Sequence, residues 1–158
     1  MMRMDERDVL IITQLRQNAR MSLTKMSRKI NVPVSTIFER LKINEKNLIL
    51  KHSSLLDFSK LGYNARANIM IKVDKDDREG LKEFLIKHIS VNSVCRINNG
   101  YDFLAEVVFR KISEIEEFNE NLENSFKIQD IKAFFIIDEL KKEAFMSSPE
   151  VVFSKTFL

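Results

Sequence analysis

Apolar residues recur at helical spacing through the first third of the chain and with a period of two in much of the rest. Met4-Asp5-Glu6-Arg7-Asp8 opens a first helix, with Asp5 as N-cap, acidic residues in its first turn, and Val9, Ile12 and Leu15, joined by Leu10 and Ile11, as a wide apolar face. In residues 22–50, Leu23, Met26 and Ile30 mark one face of a second helix with Ser22 as its cap. Asn31-Val32-Pro33 stops that helix, because Asn tolerates the left-handed conformation and Pro33 disfavours helix in the residue before it. Ser35 is read as the cap of a third helix, with Ile37, Leu41 and Leu48 inward. Two short helices around a tight turn, backed by a first, make a helix-turn-helix.

The period changes after Gly62. Ala65, Ala67, Ile69, Ile71 and Val73 alternate with Asn64, Arg66, Asn68, Met70 and Lys72, which predicts a strand. Leu81, Phe84, Leu85, His88 and Ile89 return at helical spacing. Residues 91–98 alternate again, Asn99-Gly100-Tyr101-Asp102 has hairpin chemistry, and 103–109 form a third strand. Ile115, Phe118, Leu122 and Phe126 predict another helix, and 131–137 a fourth strand. The order βαββαβ is ferredoxin-like. The predicted class is therefore α+β, an N-terminal three-helix helix-turn-helix domain (1–50), a connecting strand and linker (51–63), a ferredoxin-like domain (64–142) and a tail (143–158). Both helices of that arrangement cover one face of the sheet. Leu104, Val108, Phe134 and Ile136 make the other face apolar too, which calls for a cover. The cover is either a second copy of the chain or the tail, with Val151, Val152, Phe153, Phe157 and Leu158.

Charge is divided unevenly. The whole chain carries +3, but residues 1–52 hold 11 Lys and Arg against 5 Asp and Glu, net +6, and the remainder 15 against 18, net −3. A basic helical third fits a polyanionic partner. The segment exposes Ser35, Thr36, Glu39, Arg40 and Lys42 on the third helix, away from its apolar stripe. Arg40 suits guanine, Glu39 cytosine and the Thr36 methyl thymine. Arg20, Lys25, Arg28, Lys29, Lys46 and Lys51 suit phosphates, as does the helix N-terminus near Ser35. Ile43 is apolar on a polar face, against DNA or another subunit.

Other chemistries find little support. The single Cys95 excludes an internal disulfide, and with His52 and His88 far apart it forms no metal cluster. No run of about 18 apolar residues predicts a membrane span. The charged N-terminus lacks a signal peptide's apolar core. No Gly-rich phosphate loop, paired-Cys motif or nucleophile with a nearby base is found. A cytoplasmic, cofactor-free protein with no catalytic residues is expected.

With these residues in view the chain resembles the Lrp/AsnC, or feast/famine, family of transcriptional regulators. The resemblance rests on Met4–Asp8, on Ser22–Lys46 with Ser35-Thr36-Ile37-Phe38-Glu39-Arg40-Leu41, and on Leu55-Leu56-Asp57-Phe58-Ser59-Lys60-Leu61-Gly62. The order and spacing of these motifs over residues 4–140 are more specific than any one of them. Phe58 replaces a common Pro. Asn47-Leu48 stands where the family usually has Gly, and Asn47 is expected to make the same left-handed turn.

The resemblance implies a double-stranded DNA partner and a homodimer joining into tetramers or octamers. It also implies an amino-acid effector bound near the turn Asn99, Gly100, Tyr101, Asp102, with Asp102 toward the ammonium and backbone N–H groups near Gly100 toward the carboxylate. Tyr101 and Asp102 match the family pattern; the two positions before them do not. A plain hairpin turn would explain Asn-Gly equally. An effector-independent architectural DNA binder and an enzyme similar to the sirohaem decarboxylases are the alternatives.

Overall fold

The computed structural model describes residues 4–148. These residues divide into two compact units, one of residues 4–55 together with 140–148, the other of residues 56–139.

The first unit contains helices α1 (Glu6–Gln17), α2 (Leu23–Ile30) and α3 (Val34–Asn47). Asp5 caps α1 in a reciprocal box, its carboxylate accepting from the Asp8 N–H at 2.9 Å while Asp8 accepts from the Asp5 N–H at 3.2 Å. Ser22 caps α2, accepting from the Lys25 N–H at 3.3 Å. Asn31 ends α2 in the left-handed conformation, φ 53°. Ile11, Met26, Val32 and Ile37 form the core, with Leu15, Met21, Leu23 and Ile30 packed against it.

Three details of this unit depart from the sequence reading. Helix α3 starts at Val34, not at a Ser35 cap. Pro33 stands at the N-cap in an extended conformation, φ −57° and ψ 143°, and its carbonyl accepts the first helical bond from Ile37 N–H at 3.0 Å. Asn47 does not turn left-handed at the end of α3. Its side-chain amide instead donates to the Ile43 carbonyl at 2.9 Å, one turn back within the helix, and the Asn44 carbonyl accepts from the Leu48 and Ile49 N–H groups. Leu48 is exposed, and its place on the inner stripe is taken by fully buried Asn44.

Residues 140–148 return to α1. Arg16 donates to the Glu143 carbonyl at 2.6 Å and to the Phe145 carbonyl at 3.0 Å, and pairs with the Glu143 carboxylate at 3.0 Å. Gln17 donates to the Ser147 carbonyl at 2.7 Å. The tail residues Val151, Val152, Phe153, Phe157 and Leu158, expected as a possible cover, lie outside the described residues.

The second unit begins with a single 3-10 turn, Phe58–Leu61, held at its start by Asp57, which accepts from the Ser59 N–H at 3.1 Å. The connecting strand expected in 51–63 is absent. Residues 51–57 have no regular structure, and the Asp57 side chain starts a turn where a strand would need a partner. The sheet then follows as β1 (Ala65–Val73), α4 (Arg78–Lys87), β2 (Val91–Arg96), β3 (Phe103–Phe109), α5 (Ile112–Ser125) and β4 (Ile128–Phe135). The strand order is β2-β3-β1-β4, all neighbours antiparallel, as the ferredoxin-like reading requires.

Strict alternation places Ala65, Ala67, Ile69, Ile71 and Val73 of β1 in one core with Phe103, Ala105 and Val107 of β3. Leu81 and Leu85 of α4 and Ile115, Phe118 and Leu122 of α5 cover that face. Burying each large side chain contributes about 1.5–3 kcal/mol. Strand β4 starts earlier than expected because a bulge opposite Lys72–Val73 absorbs one residue, so that Ile128 and Ile131 both reach the core despite their odd spacing. Ile137, beyond the strand, is 99% exposed.

The opposite face is more polar than the sequence reading held. Arg66 pairs with Glu106 at 2.7 Å and Glu139 at 3.0 Å, and Asn92 donates to Glu106 at 2.8 Å. This polar ladder runs through an otherwise apolar surface of half-buried Met70, Leu104 and Val108 and exposed Phe134.

Candidate nucleic-acid interface

The helical pair is positioned from within. Met26 of α2 and Ile37 of α3 are fully buried beside Ile11 of α1. At about 100° per residue, the inner face of α3 carries Ile37, Arg40, Leu41 and Asn44. Its outer face carries Ser35, Glu39, Lys42 and Lys46, all exposed. Thr36 lies on the shoulder and is half-buried, while Lys25, Arg28 and Lys29 are exposed on α2. Lys29 also donates to the Gln17 carboxamide at 2.9 Å, an exposed contact that a stronger anionic partner can replace. Ser35, Glu39 and Lys42 of α3 and Lys25, Arg28 and Lys29 of α2 are thus all exposed and outside the core of their unit.

Arg40 does not join them. Its guanidinium pairs with Asp5 at 2.6 Å and with Asp8 at 3.0 Å. Asp8 is 2% exposed and also accepts from the buried Asn44 amide at 3.3 Å. The expectation that Arg40 reads guanine is corrected on this geometry: Arg40 stands on the inner side of α3 and keys that helix to the N-terminus of α1. The Asp8 backbone N–H, helped by Arg40, holds the Asp5 carboxyl below its ordinary range, against a smaller opposing effect of burial. The Asp8–Arg40–Asn44 network was not foreseen, since Asp8 reads as an ordinary first-turn acid. The signal available was Arg40 and Asn44 spaced i, i+4 on the stripe that continues from Ile37.

A second residue escaped the sequence reading. Phe38 is 48% exposed on the outer side of α3, with the Lys42 ammonium 4.4 Å from its ring centroid. Val34, one turn earlier, is exposed too, as is Ile43.

In the sheet unit, Asn99 and Gly100 both have positive φ, 62° and 90°, the sign that a type I′ hairpin turn requires. Both are exposed, with open space where a Gly100 side chain would stand. The Tyr101 hydroxyl donates to Asp130 at 2.5 Å, and Lys132 lies 5.4 Å from its ring centroid and 3.7 Å from Asp130. The Tyr101 bond is the main reason that the Asp130 carboxyl sits below its ordinary range, and Lys132's own contact with Tyr101, followed by that with Asp130, holds its ammonium above its ordinary range. Asp102 is already taken. One oxygen accepts from the Val73 N–H at 3.0 Å and the other pairs with Arg78 at 2.7 Å. The expectation that Asp102 holds an effector ammonium is therefore corrected: both oxygens tie the start of β3 to the end of β1 and the start of α4. Asn99, Gly100 and Tyr101 remain presented at the turn.

The two histidines stand apart. His52 pairs with Glu45 at 3.2 Å in the helical unit. His88 packs among Phe84, Phe109 and Phe118, with ring centroids 4.9–6.4 Å away, and its Nδ1 accepts from the Ser90 N–H at 3.2 Å. Burial pushes its pKa down. Among the described residues no group of three or more His, Cys, Asp or Glu could hold a metal ion, and no helix is long and apolar enough to cross a membrane.

A helix-turn-helix unit joined to a ferredoxin-like sheet unit is the plan of a ligand-responsive DNA-binding protein, and comparison with known proteins agrees. The Lrp/AsnC ligand binding domain matches residues 66–145, and a winged helix-turn-helix DNA-binding domain matches residues 4–43. An HTH-type transcriptional regulator of Pyrococcus horikoshii is 30% identical over 131 residues, 82% of each chain. The glutamate uptake regulatory protein of Zymomonas mobilis is 24% identical over 152 residues, covering 94% of this chain and 93% of that one. The structure of a Neisseria meningitidis transcriptional regulator in complex with L-methionine superposes with a TM-score of 0.82 at 22% identity, covering 89% of this chain and 94% of the other. That of Escherichia coli AsnC gives 0.79 at 19% identity, covering 89% and 97%. The chain belongs to the Lrp/AsnC family, and it is a DNA-binding transcriptional regulator built from a helix-turn-helix and a ligand-binding domain of that family.

Proposed function

We propose that this regulator is a cytoplasmic homodimer, or a larger assembly of dimers, that reads a roughly palindromic DNA site with two copies of α3, and that it is not an enzyme. The observation that carries the reading is the exposed, cation-rich outer surface of α2 and α3 on a unit of net charge +6 in residues 1–52. Ser35, Glu39 and Lys42 face the base edges, with Thr36 at their margin. Lys25, Arg28 and Lys29 of α2 meet phosphates and set the register. Two recognition helices related by a two-fold axis enter successive major grooves about one turn apart. The apolar part of the open sheet face, around Leu104, Val108 and Phe134, supports pairing of two copies there.

The effector is an amino acid bound beside the turn formed by Asn99, Gly100 and Tyr101. The Gly100 backbone and the Lys132 ammonium suit its carboxylate. The match to a ligand-binding domain and the L-methionine complex of the Neisseria relative support the class. With Asp102 engaged by Val73 and Arg78, and Asp130 by Tyr101 and Lys132, neither carboxylate is assigned to the ammonium.

The test is a fluorescence-anisotropy titration of the protein against a duplex selected from a random library and against its scrambled version, at two salt concentrations, with and without each amino acid. Tighter binding to the selected duplex, kept at the higher salt and shifted by one class of amino acid, is the expected result. Equal binding to both, collapsing with salt, would make the protein an architectural DNA binder.

A further inference from the structure

Phe38 presents an anomaly that the DNA-binding surface so far described does not use. It stands between the inner stripe of Ile37 and Leu41 and the outer residues Ser35 and Lys42, and 48% of it is exposed. Val34, 41% exposed, lies one turn away on the same side of α3, so the two make a continuous apolar strip. Nothing in the core of the helical unit requires that strip, because Ile37 and Met26 already close the contact between α2 and α3. The charges around the strip are mixed. Lys42 lies directly over the ring, 4.4 Å from its centroid, with Lys46 one turn on toward the outer face, while Glu45 falls on the side of the strip itself. The cation held over the ring favours a polyanion as the partner that covers it. In the major groove the base edges of DNA offer one apolar group, the C5-methyl of thymine.

We infer that Phe38 is a specificity-determining residue whose ring packs on a thymine C5-methyl in the major groove, while Lys42, held over the ring, serves the neighbouring base pair. The inference rests on α3 being the recognition helix and adds what that helix reads. The same cation–ring contact limits the ring's freedom before DNA arrives, which lowers the ordering cost of the contact. Thr36, the other candidate for a thymine methyl, is half-buried on the opposite shoulder of α3.

The test replaces each thymine of a selected duplex by deoxyuridine, one at a time, removing only the methyl. Affinities are measured for the wild type, Phe38→Ala and Thr36→Ser. Phe38 is half exposed, so Phe38→Ala is expected to fold, and its circular dichroism and melting temperature are recorded beside the wild type. At one thymine in each half-site, deoxyuridine should weaken wild-type and Thr36→Ser binding roughly fourfold, the value of one buried carbon group. The same replacement should leave Phe38→Ala unchanged, while the salt dependence of Phe38→Ala on scrambled DNA stays that of the wild type. Selective binding by the wild type with no costly thymine, or with a cost that persists in Phe38→Ala, overturns the role of Phe38 and leaves the recognition helix standing. Wild-type binding that never prefers the selected duplex overturns both.

Discussion

Thirteen buried apolar residues, from Ala65 to Leu122, fill the core of the sheet unit, whereas the helical unit centres on Ile11, Met26, Val32 and Ile37. The polar residues buried among the described residues are Asp8, Thr13, Gln14 and Asn44, all in the helical unit. The sheet unit is thus held by apolar area and strand register. The helical unit relies to a larger degree on Asp8, Arg40 and Asn44, whose directional bonds set where α3 stands against α1. Apolar contact stabilises many arrangements of two helices, whereas a part-buried ion pair with a buried amide beside it favours one. A recognition helix needs its orientation fixed more than it needs a deep core, and the difference between the units follows that requirement.

The largest change expected to separate the two units is Ile69→Ala at the centre of β1. It should destabilise the sheet unit by about 3–4 kcal/mol, read by hydrogen exchange of its strand amides. The amides of α1–α3 should keep their protection, and equal loss in both units would break the distinction. Next is Asp8→Ala, which leaves Asn44 without its partner and Arg40 with Asp5 alone. A loss of about 2–3 kcal/mol confined to the helical unit is expected. Arg40→Ala should cost less, and the double variant less than the sum, in chemical denaturation. Additive losses would mean that the two residues act independently. Arg40→Ala should weaken binding to all DNA sequences alike, in contrast to a base-reading residue.

The third prediction concerns pH and the sheet unit. Burial lowers the folded-state pKa of His88 below its unfolded value, so the unfolded chain binds the proton more readily. The stability that neutral His88 allows is complete above the unfolded pKa, about 6.5, and is lost as pH falls from there toward the folded value. The melting temperature of the sheet unit should therefore drop as pH falls below about 6.5, and His88→Phe should flatten the drop. A drop of equal size in His88→Phe would assign it to other groups. The smallest effect belongs to Arg16→Ala. It releases residues 143–145 from α1 but removes a partly exposed side chain, so a loss of about 1 kcal/mol or less is expected in denaturant titration of the helical unit.

Much of this was legible in the sequence, and the reasons for the rest are physical. Alternation in 65–73 and 103–109 and helical spacing at Ile115, Phe118 and Leu122 place the inner side of the sheet correctly, because periodicity reports which side of an element is buried. The start of β4 was missed because a bulge resets the period at Lys72–Val73, and a bulge has no residue signature of its own here. The connecting strand was expected where none forms, because a strand depends on a partner that local pattern does not supply. In the site, Ser35, Glu39 and Lys42 stand where spacing put them, on the outer face of α3. Arg40 and Asp102 do not carry the expected roles. A charged side chain has the same sequence signature whether it faces a ligand or a counter-charge elsewhere in the fold, and only the structure brings Asp8 to Arg40 and Arg78 to Asp102. Phe38 went unnoticed for the converse reason: it was read within a helical motif when its exposure set it apart.

The central claim is that two copies of α3 read DNA from one side. Hydroxyl-radical footprinting of the protein on a selected duplex tests it most directly. Two protected patches about 10 base pairs apart on one side of the helix, both lost with Lys42→Glu, are the result this account predicts. A single patch, or protection spread evenly along the duplex and unchanged by Lys42→Glu, would contradict it.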